Sequence, residues 1–378
     1  MIYFDNAATG RVYPSALNAA TEMINCFGNP SSPHKMGLAA AERLQSAREQ
    51  VAGALRCDTK RIIFTSGGTE ANNLALISHA VKNRRAGKKI VTNATEHPSV
   101  LSVLKNLETE GYQTVFIDVK NGVPDLNQLE KEASDACIVT FMRANNQTGC
   151  MFDPRQIREV LDRCGSKAMF HCDAVQAFCK TSDGNDGLSK YCDTVSVSAH
   201  KIGGIKGCGA LYYGERAKIS PLICGGDQEN GLRGGTENTV GIAAFGAACR
   251  ENTAHPEYLS HIRTLREQFI DGLTAALGDG VRFFIPPEHV DCIINFSIPG
   301  LKSEVCLNYL SSKDICVSSS SACSVRAKKN TVLPAYGLDE AYVNSAVRIG
   351  ISHFNTTEEI DILISELKNA AAFAVRKR

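Results

Sequence analysis

An excess of charge of either sign is missing from this 378-residue chain: 41 Lys and Arg face 40 Asp and Glu, a formal net charge of +1. Such a balance provides no strong field for nucleic acid or for an anionic membrane surface. A basic start ahead of an apolar stretch is also missing, since Asp5 arrives at once. No apolar run approaches the ~18 residues that a membrane span needs. The expectation is a soluble, cytoplasmic protein that binds neither nucleic acid nor membrane. Cys-x-x-Cys does not occur: the closest of the 15 cysteines are seven residues apart, Cys172 to Cys179 and Cys316 to Cys323. That spacing argues against a zinc or cluster cage, and no metal is expected. An odd count without a secretory leader argues against a disulfide framework. Most thiols, Cys137, Cys249 and Cys292 among them, sit between apolar residues and read as small core hydrophobes. There is no repeat, and no low-complexity tract beyond Ser318 to Ser321.

What is present is an alternation of short apolar runs with helical patterns. Arg61 to Thr65, Lys89 to Thr92, Thr114 to Val119, Cys137 to Phe141, Ala168 to His171 and Thr194 to Ser198 read as buried strands. Ser99 to Glu110 and Pro154 to Cys164 read as helices between them. The alternation predicts an α/β fold with a mostly parallel sheet covered on both faces, and ligands at the carboxyl ends of its strands. One long helical stretch, Thr236 to Leu277, leads to a strand near Cys292 to Phe296, a helix near Ser303 to Ser311, a strand near Ile315 to Val317 and a terminal helix from Thr357. The expected division is a large domain over residues 16–252 and a smaller α+β domain made of residues 1–15 and 253–378.

Several turns carry chemistry. Ser198-Ala199-His200-Lys201 follows a strand and precedes the glycine-rich Ile202 to Gly209. A lysine held rigidly there suits a carbonyl-binding amine of lowered pKa, and equally a surface lysine in a turn. Asp173, in His171 to Gln176, suits a carboxylate for a pyridine nitrogen, or an ordinary helix cap. Thr65 to Glu70 and Arg233 to Asn238 join glycines to a helix start, where backbone amides and a threonine hydroxyl can take a phosphate. His97, in Thr95-Glu96-His97, suits an acid, a base or a ring stacked on an aromatic ligand. Cys323 lies in a run of small hydroxylated residues with Arg326, Lys328 and Lys329 after it. That setting favours a thiolate on an exposed, mobile segment. Arg348 can clamp a carboxylate with two hydrogen bonds.

Together these motifs resemble the NifS/IscS-type cysteine desulfurases. Tyr3 to Thr9, Phe27 to Ser32, Phe64 to Glu70, Thr95 to His97, Asn145-Asn146, His171 to Gln176, Ser198 to Lys201, Gly234 to Asn238 and Ser318 to Cys323 occur in that family's order, across about residues 3 to 360. The resemblance implies the type I fold of transferases that use pyridoxal 5'-phosphate (PLP). It implies Lys201 as the cofactor's lysine and His97 stacked on its ring and assisting proton transfers. Asp173 would pair with the ring nitrogen, while Gln176 and Asn146 would contact the phenolate side. Gly68, Thr69, Ser198 and His200 would hold the phosphate, and Thr236 would reach it from the partner subunit of a homodimer. Arg348 would bind the carboxylate of L-cysteine, and Cys323 would take its sulfur as a persulfide for an acceptor protein, an iron–sulfur scaffold or a tRNA-thiolating enzyme. The 25 residues from Cys323 to Arg348 resemble the long-loop version of the family (348 − 323 = 25). Departures from the family pattern are Gln147, Cys150, Cys179 and Ser320. A selenocysteine lyase, a non-catalytic scaffold of the same fold and an aminotransferase are the competing classes; the last needs no Cys323.

Overall fold

The computed structural model describes residues 1–85, 87–181, 187–319 and 331–375. Ser320, Cys323 and the basic residues Arg326, Lys328 and Lys329 therefore lie outside the described residues. The strands run in chain order as β1 (Ile2–Tyr3), β2 (Ile62–Thr65), β3 (Lys89–Asn93) and β4 (Gln113–Ile117), then the short hairpin of β5 (Val119–Lys120) and β6 (Val123–Pro124). There follow β7 (Ile138–Thr140), β8 (Met169–Asp173), β9 (Thr194–Ser198) and β10 (Gly209–Tyr213). The last five are β11 (Arg282–Phe284), β12 (Ile293–Ser297), β13 (Ile315–Cys316), β14 (Ser318–Ser319) and β15 (Ala346–Gly350).

Seven of them form one sheet in the order β2-β10-β9-β8-β7-β3-β4. Every pairing is parallel except those of β10, which runs antiparallel to both β2 and β9. The parallel strands thus end on one edge, where the turns before His97, after Asp173 and before Lys201 converge. β2 to β4 and β7 to β9 fall where apolar, β-branched runs predict them. β10 is an addition, which follows the glycine-rich turn directly and opens on a glycine itself. A second, antiparallel sheet has the order β11-β12-β15-β14. β1 pairs with β13, and Asp5 bridges to Gly350, so the first residues of the chain lie against the second sheet.

The two largest buried clusters lie against the two larger sheets. Phe141, Phe170, Val195, Val197 and Phe245 are buried around the first, and Phe269, Phe296, Val347, Ile349 and Leu363 around the second. Each such side chain contributes about 1.5–3 kcal/mol. The buried Cys137, Cys249 and Cys292 behave as the small hydrophobes the sequence suggests.

The helix expected over Thr236 to Leu277 is two helices, Thr239–Ala254 and Glu257–Leu277. Pro256 explains the break: it has no N–H to donate and pushes the preceding residue out of helical geometry, and His255 sits at φ −124°, ψ 65°. Other helix starts are chemically marked. His97 caps Pro98–Thr109 and Asp153 caps Pro154–Arg163, each through its side chain to a backbone N–H, with proline at the first position.

Candidate active site

A cleft of about 590 Å³ opens at the carboxyl edge of the large sheet. Gly68, Thr69, His97, Asn146, Asp173, Gln176, Ser198, His200 and Lys201 all line it, with Asn72, Ser99, Met142, Ala144 and Val175. Nine of the residues singled out in the sequence are thereby brought together by topology. Arg348 and Thr236 are not in that lining. Arg348, on β15, adjoins it by donating to the carbonyl of Asn146 at 2.8 Å. Thr236 is exposed.

Lys201 sits in a 3-10 turn directly after β9. Its amine donates to the carbonyls of Ala7 (2.9 Å) and Ala8 (2.6 Å), so the N-terminal segment positions it. Burial above all, then the nearby Lys180 and Arg348, pull its pKa down to about 7, against opposing effects of Asp5 and Asp173. Asp173 ends β8; one carboxylate oxygen accepts from Asn72 Nδ2 (2.8 Å) and the other from the Val175 N–H (3.0 Å). A carboxylate offers about four acceptor positions, so room remains for one more donor. Gln176 donates to the carbonyl of Ala7 (2.8 Å) and accepts from Lys180 (3.0 Å). His200 Nδ1 lies 3.2 Å from Thr9 Oγ1, and burial lowers its pKa to about 4. Gly68 and Thr69 open the helix Gly68–Lys82, whose first amides have no intrahelical partner. A Cβ at Gly68 would stand 2.6 Å from Val175 Cγ2, so only glycine lets the backbone form this wall.

Three participants are not singled out by the sequence. Asn72 connects Asp173 to Ser99 and His171, one helical turn after the glycine motif. Asp5 accepts from Arg348 Nη2 at 2.9 Å and from Ser318 Oγ at 2.7 Å. Lys180 is half-buried, and desolvation above all lowers its pKa. Among the departures, Cys150 is fully buried away from the cleft lining, and Cys179 takes a left-handed φ of 58°, a conformation that favours glycine. The Gln147 carbonyl accepts from Asn295 Nδ2 at 3.0 Å.

Glu96, beside His97, is wholly buried, and its Oε2 has no hydrogen-bond partner. Burial, then repulsion from Asp173, pushes its carboxyl up to about 8. A folded-state pKa above the unfolded value of ~4.3 means the stabilising proton is fully present below about pH 4 and lost as pH rises through about 8. Glu96→Gln, which carries no such proton, is expected to flatten the fall in stability between pH 5 and 8. At pH 8 it should gain about 2–4 kcal/mol over the parent, read from urea midpoints. Parallel pH dependence in the two proteins would show that Glu96 is ionised in the fold.

The donor set suits PLP: an amine of lowered pKa for an aldehyde, a buried carboxylate for a pyridinium, and a helix N-terminus with adjacent hydroxyl and imidazole groups for a phosphate. The chain matches the family model for class-V aminotransferases over residues 2–363. It is similar to the cysteine desulfurase of Homo sapiens, 38% identical over 375 residues, which covers 97% of this chain and 80% of that protein. In structure it is similar to a NifS-like protein, with a TM-score of 0.91 and 32% identity, covering 98% of this chain and 99% of the other. It is also similar to SspA in complex with cysteine, with a TM-score of 0.79 and 28% identity over 94% of this chain and all of that one.

Proposed function

The chain belongs to the class-V aminotransferase family, among its cysteine desulfurases, and from that premise we propose that it takes sulfur from L-cysteine with PLP held at Lys201. L-Alanine and a persulfide on Cys323 are the products. The observation that carries this reading is the half-buried Lys201 amine, with its pKa near 7, in one cleft with Asp173 and the helix start at Gly68. When bound, PLP supplies an aldehyde for the substrate's amine and an electron-poor ring that accepts charge from Cα.

The chain's own residues do the rest. Lys201, half protonated near neutral pH, takes and returns the Cα proton. Asp173 keeps a proton on the ring nitrogen, with Gln176 and Asn146 at the phenolate side. Gly68, Thr69, Ser198 and His200 hold the phosphate, and His97 faces the ring. The Cys323 thiolate attacks the substrate sulfur; the C–S bond breaks with its electron pair left on carbon, and a proton completes alanine. L-Cysteine plus thiol becomes L-alanine plus persulfide, so no outside oxidant is needed. The persulfide then passes to an acceptor protein.

A homodimer is part of the same proposal, with Thr236 serving the partner's phosphate site. Its support is that Thr236 lies outside the cleft lining of its own chain, and that Leu17, Ile24, Phe27 and Leu38 are exposed apolar residues on and between the first two helices. Residues 16–252 serve as the cofactor-binding unit, and 1–15 with 253–378 as the smaller one, a division that the two separate larger sheets support. A cytoplasmic setting is supported by the described cysteines, none of which is joined to another in a disulfide. No helix among those residues is long and apolar enough to cross a membrane.

The test is alanine formation from L-cysteine by the PLP-loaded protein; none at all would overturn the reading. Within it, Arg348→Ala is expected to weaken L-cysteine binding by about ten-fold or more, since charge-assisted hydrogen bonds contribute about 1.5–3 kcal/mol each. Cofactor retention should be unchanged. Unaltered affinity for L-cysteine together with lost PLP would move this arginine to the cofactor.

A further inference from the structure

The hydrogen bonds behind the cleft form a single chain whose proton positions can be worked out from one fixed end. Asp173 is an acceptor, so the Asn72 atom 2.8 Å from it must be Nδ2, which fixes the amide's orientation. The second Nδ2 hydrogen points to Ser99 Oγ at 2.8 Å. Asn72 Oδ1 lies 3.0 Å from His171 Nε2, which must then carry a hydrogen. The other His171 nitrogen, 2.9 Å from Thr194 Oγ1, accepts; burial holds this histidine neutral by lowering its pKa to about 3. Ser99 Oγ, having accepted from Asn72, has its own hydrogen to give, and His97 Nδ1 is 2.8 Å away. The backbone N–H of Ser99 points at that same nitrogen at 3.1 Å.

Two donors therefore converge on Nδ1 of His97, one of them a backbone group that cannot turn round. A hydrogen on Nδ1 would face another hydrogen. We propose that Asn72 and Ser99 are positioning residues that lock His97 as its neutral Nε2–H tautomer, so that the imidazole meets the bound ligand as a hydrogen-bond donor and not as a base. Nε2 already carries its hydrogen and Nδ1 is blocked, which leaves proton abstraction from the substrate to Lys201. The division of labour resembles that of any site in which a neutral imidazole polarises while a second group moves the proton. Burial above all lowers the pKa of His97; of the charged groups acting on the ring, Asp173 favours the cationic form and is outweighed, while Lys201 opposes that form and adds to the effect of burial.

The inference rests on the proposed function only in placing His97 beside the cofactor; its test needs no turnover. In the PLP-loaded protein with ¹⁵N-labelled histidine, one resonance among nine histidines, identified by its loss in His97→Gln, should show an unprotonated Nδ1 and a protonated Nε2. That pattern should persist from pH 6 to 8.5. Ser99→Ala removes the hydroxyl donor to Nδ1 but leaves the backbone N–H, so the Nε2–H tautomer should persist while the signature shifts to a His97 pKa about one unit higher. Ser99→Thr, which retains the hydroxyl, should restore the parent signature. A protonated Nδ1 or a charged ring at pH 7 in the parent would overturn the proposal whatever the variants do. A Ser99→Ala signature identical to the parent would remove Ser99 from it. Either result leaves alanine formation from L-cysteine, and so the desulfurase reading, untouched.

Discussion

Cys323→Ser is expected to leave the protein yellow with bound PLP and to cut alanine formation from L-cysteine by on the order of a thousandfold or more. Lys201, Asp173 and the helix start at Gly68 are untouched by the change, so the cofactor should stay. A serine hydroxyl remains protonated at neutral pH and forms no persulfide, so sulfur transfer has no acceptor. The chain enters the segment carrying Cys323 from β14, where Ser318 pairs in register with Arg348. Cys323 is the fourth residue after Ser319, a reach of at most about 14 Å. Four of the buried thiols are poor substitutes. Burial pushes Cys150, Cys208 and Cys306 up to about 12 and Cys137 up to about 11, so all four are protonated at neutral pH. Alanine formation at the parental rate by Cys323→Ser would show that another group takes the sulfur.

Lys201→Ala is expected to abolish the covalent attachment of PLP and, with it, turnover. A pKa of about 7 leaves roughly half the amine free at neutral pH, on the order of a thousandfold more than an ordinary lysine near 10.4 has. Lys180 is the informative control, because it too is half-buried with a lowered pKa and its amine reaches Gln176 at the same cleft. Borohydride reduction of the loaded protein, followed by peptide mapping, should place the cofactor on the Lys201 peptide. Lys180→Ala should remain yellow. Label on the peptide with Lys180, or a yellow Lys201→Ala after reduction and dialysis, would transfer the role to Lys180.

How far the sequence discloses this arrangement depends on the distance over which each feature is set. Thr194 to Ser198 is a strand in both, because five apolar or small residues before a polar turn leave little alternative. Ser198 to Lys201 and Asp173 are legible for the same local reason: each lies at the end of such a run. Partners fixed by topology are not. Asn72 meets Asp173 across 101 residues and Arg348 meets Asp5 across 343, and neither pairing has a periodic signal. Asp5 lies in the quoted Tyr3 to Thr9 motif, yet its link to Arg348 depends on the start of the chain running beside β15. The helical stretch over Thr236 to Leu277 is legible in outline, and Pro256 divides it into two helices.

The account's central claim, that sulfur from L-cysteine moves to Cys323, is tested most directly on the unaltered protein. PLP-loaded protein would be exposed briefly to L-cysteine, quenched with an alkylating agent, digested and weighed peptide by peptide. The account predicts a mass gain of one sulfur on the peptide containing Cys323, matched by released alanine. A sulfur on Cys150, Cys179, Cys316 or any peptide lacking Cys323, or alanine released with no sulfur on the protein, would contradict it.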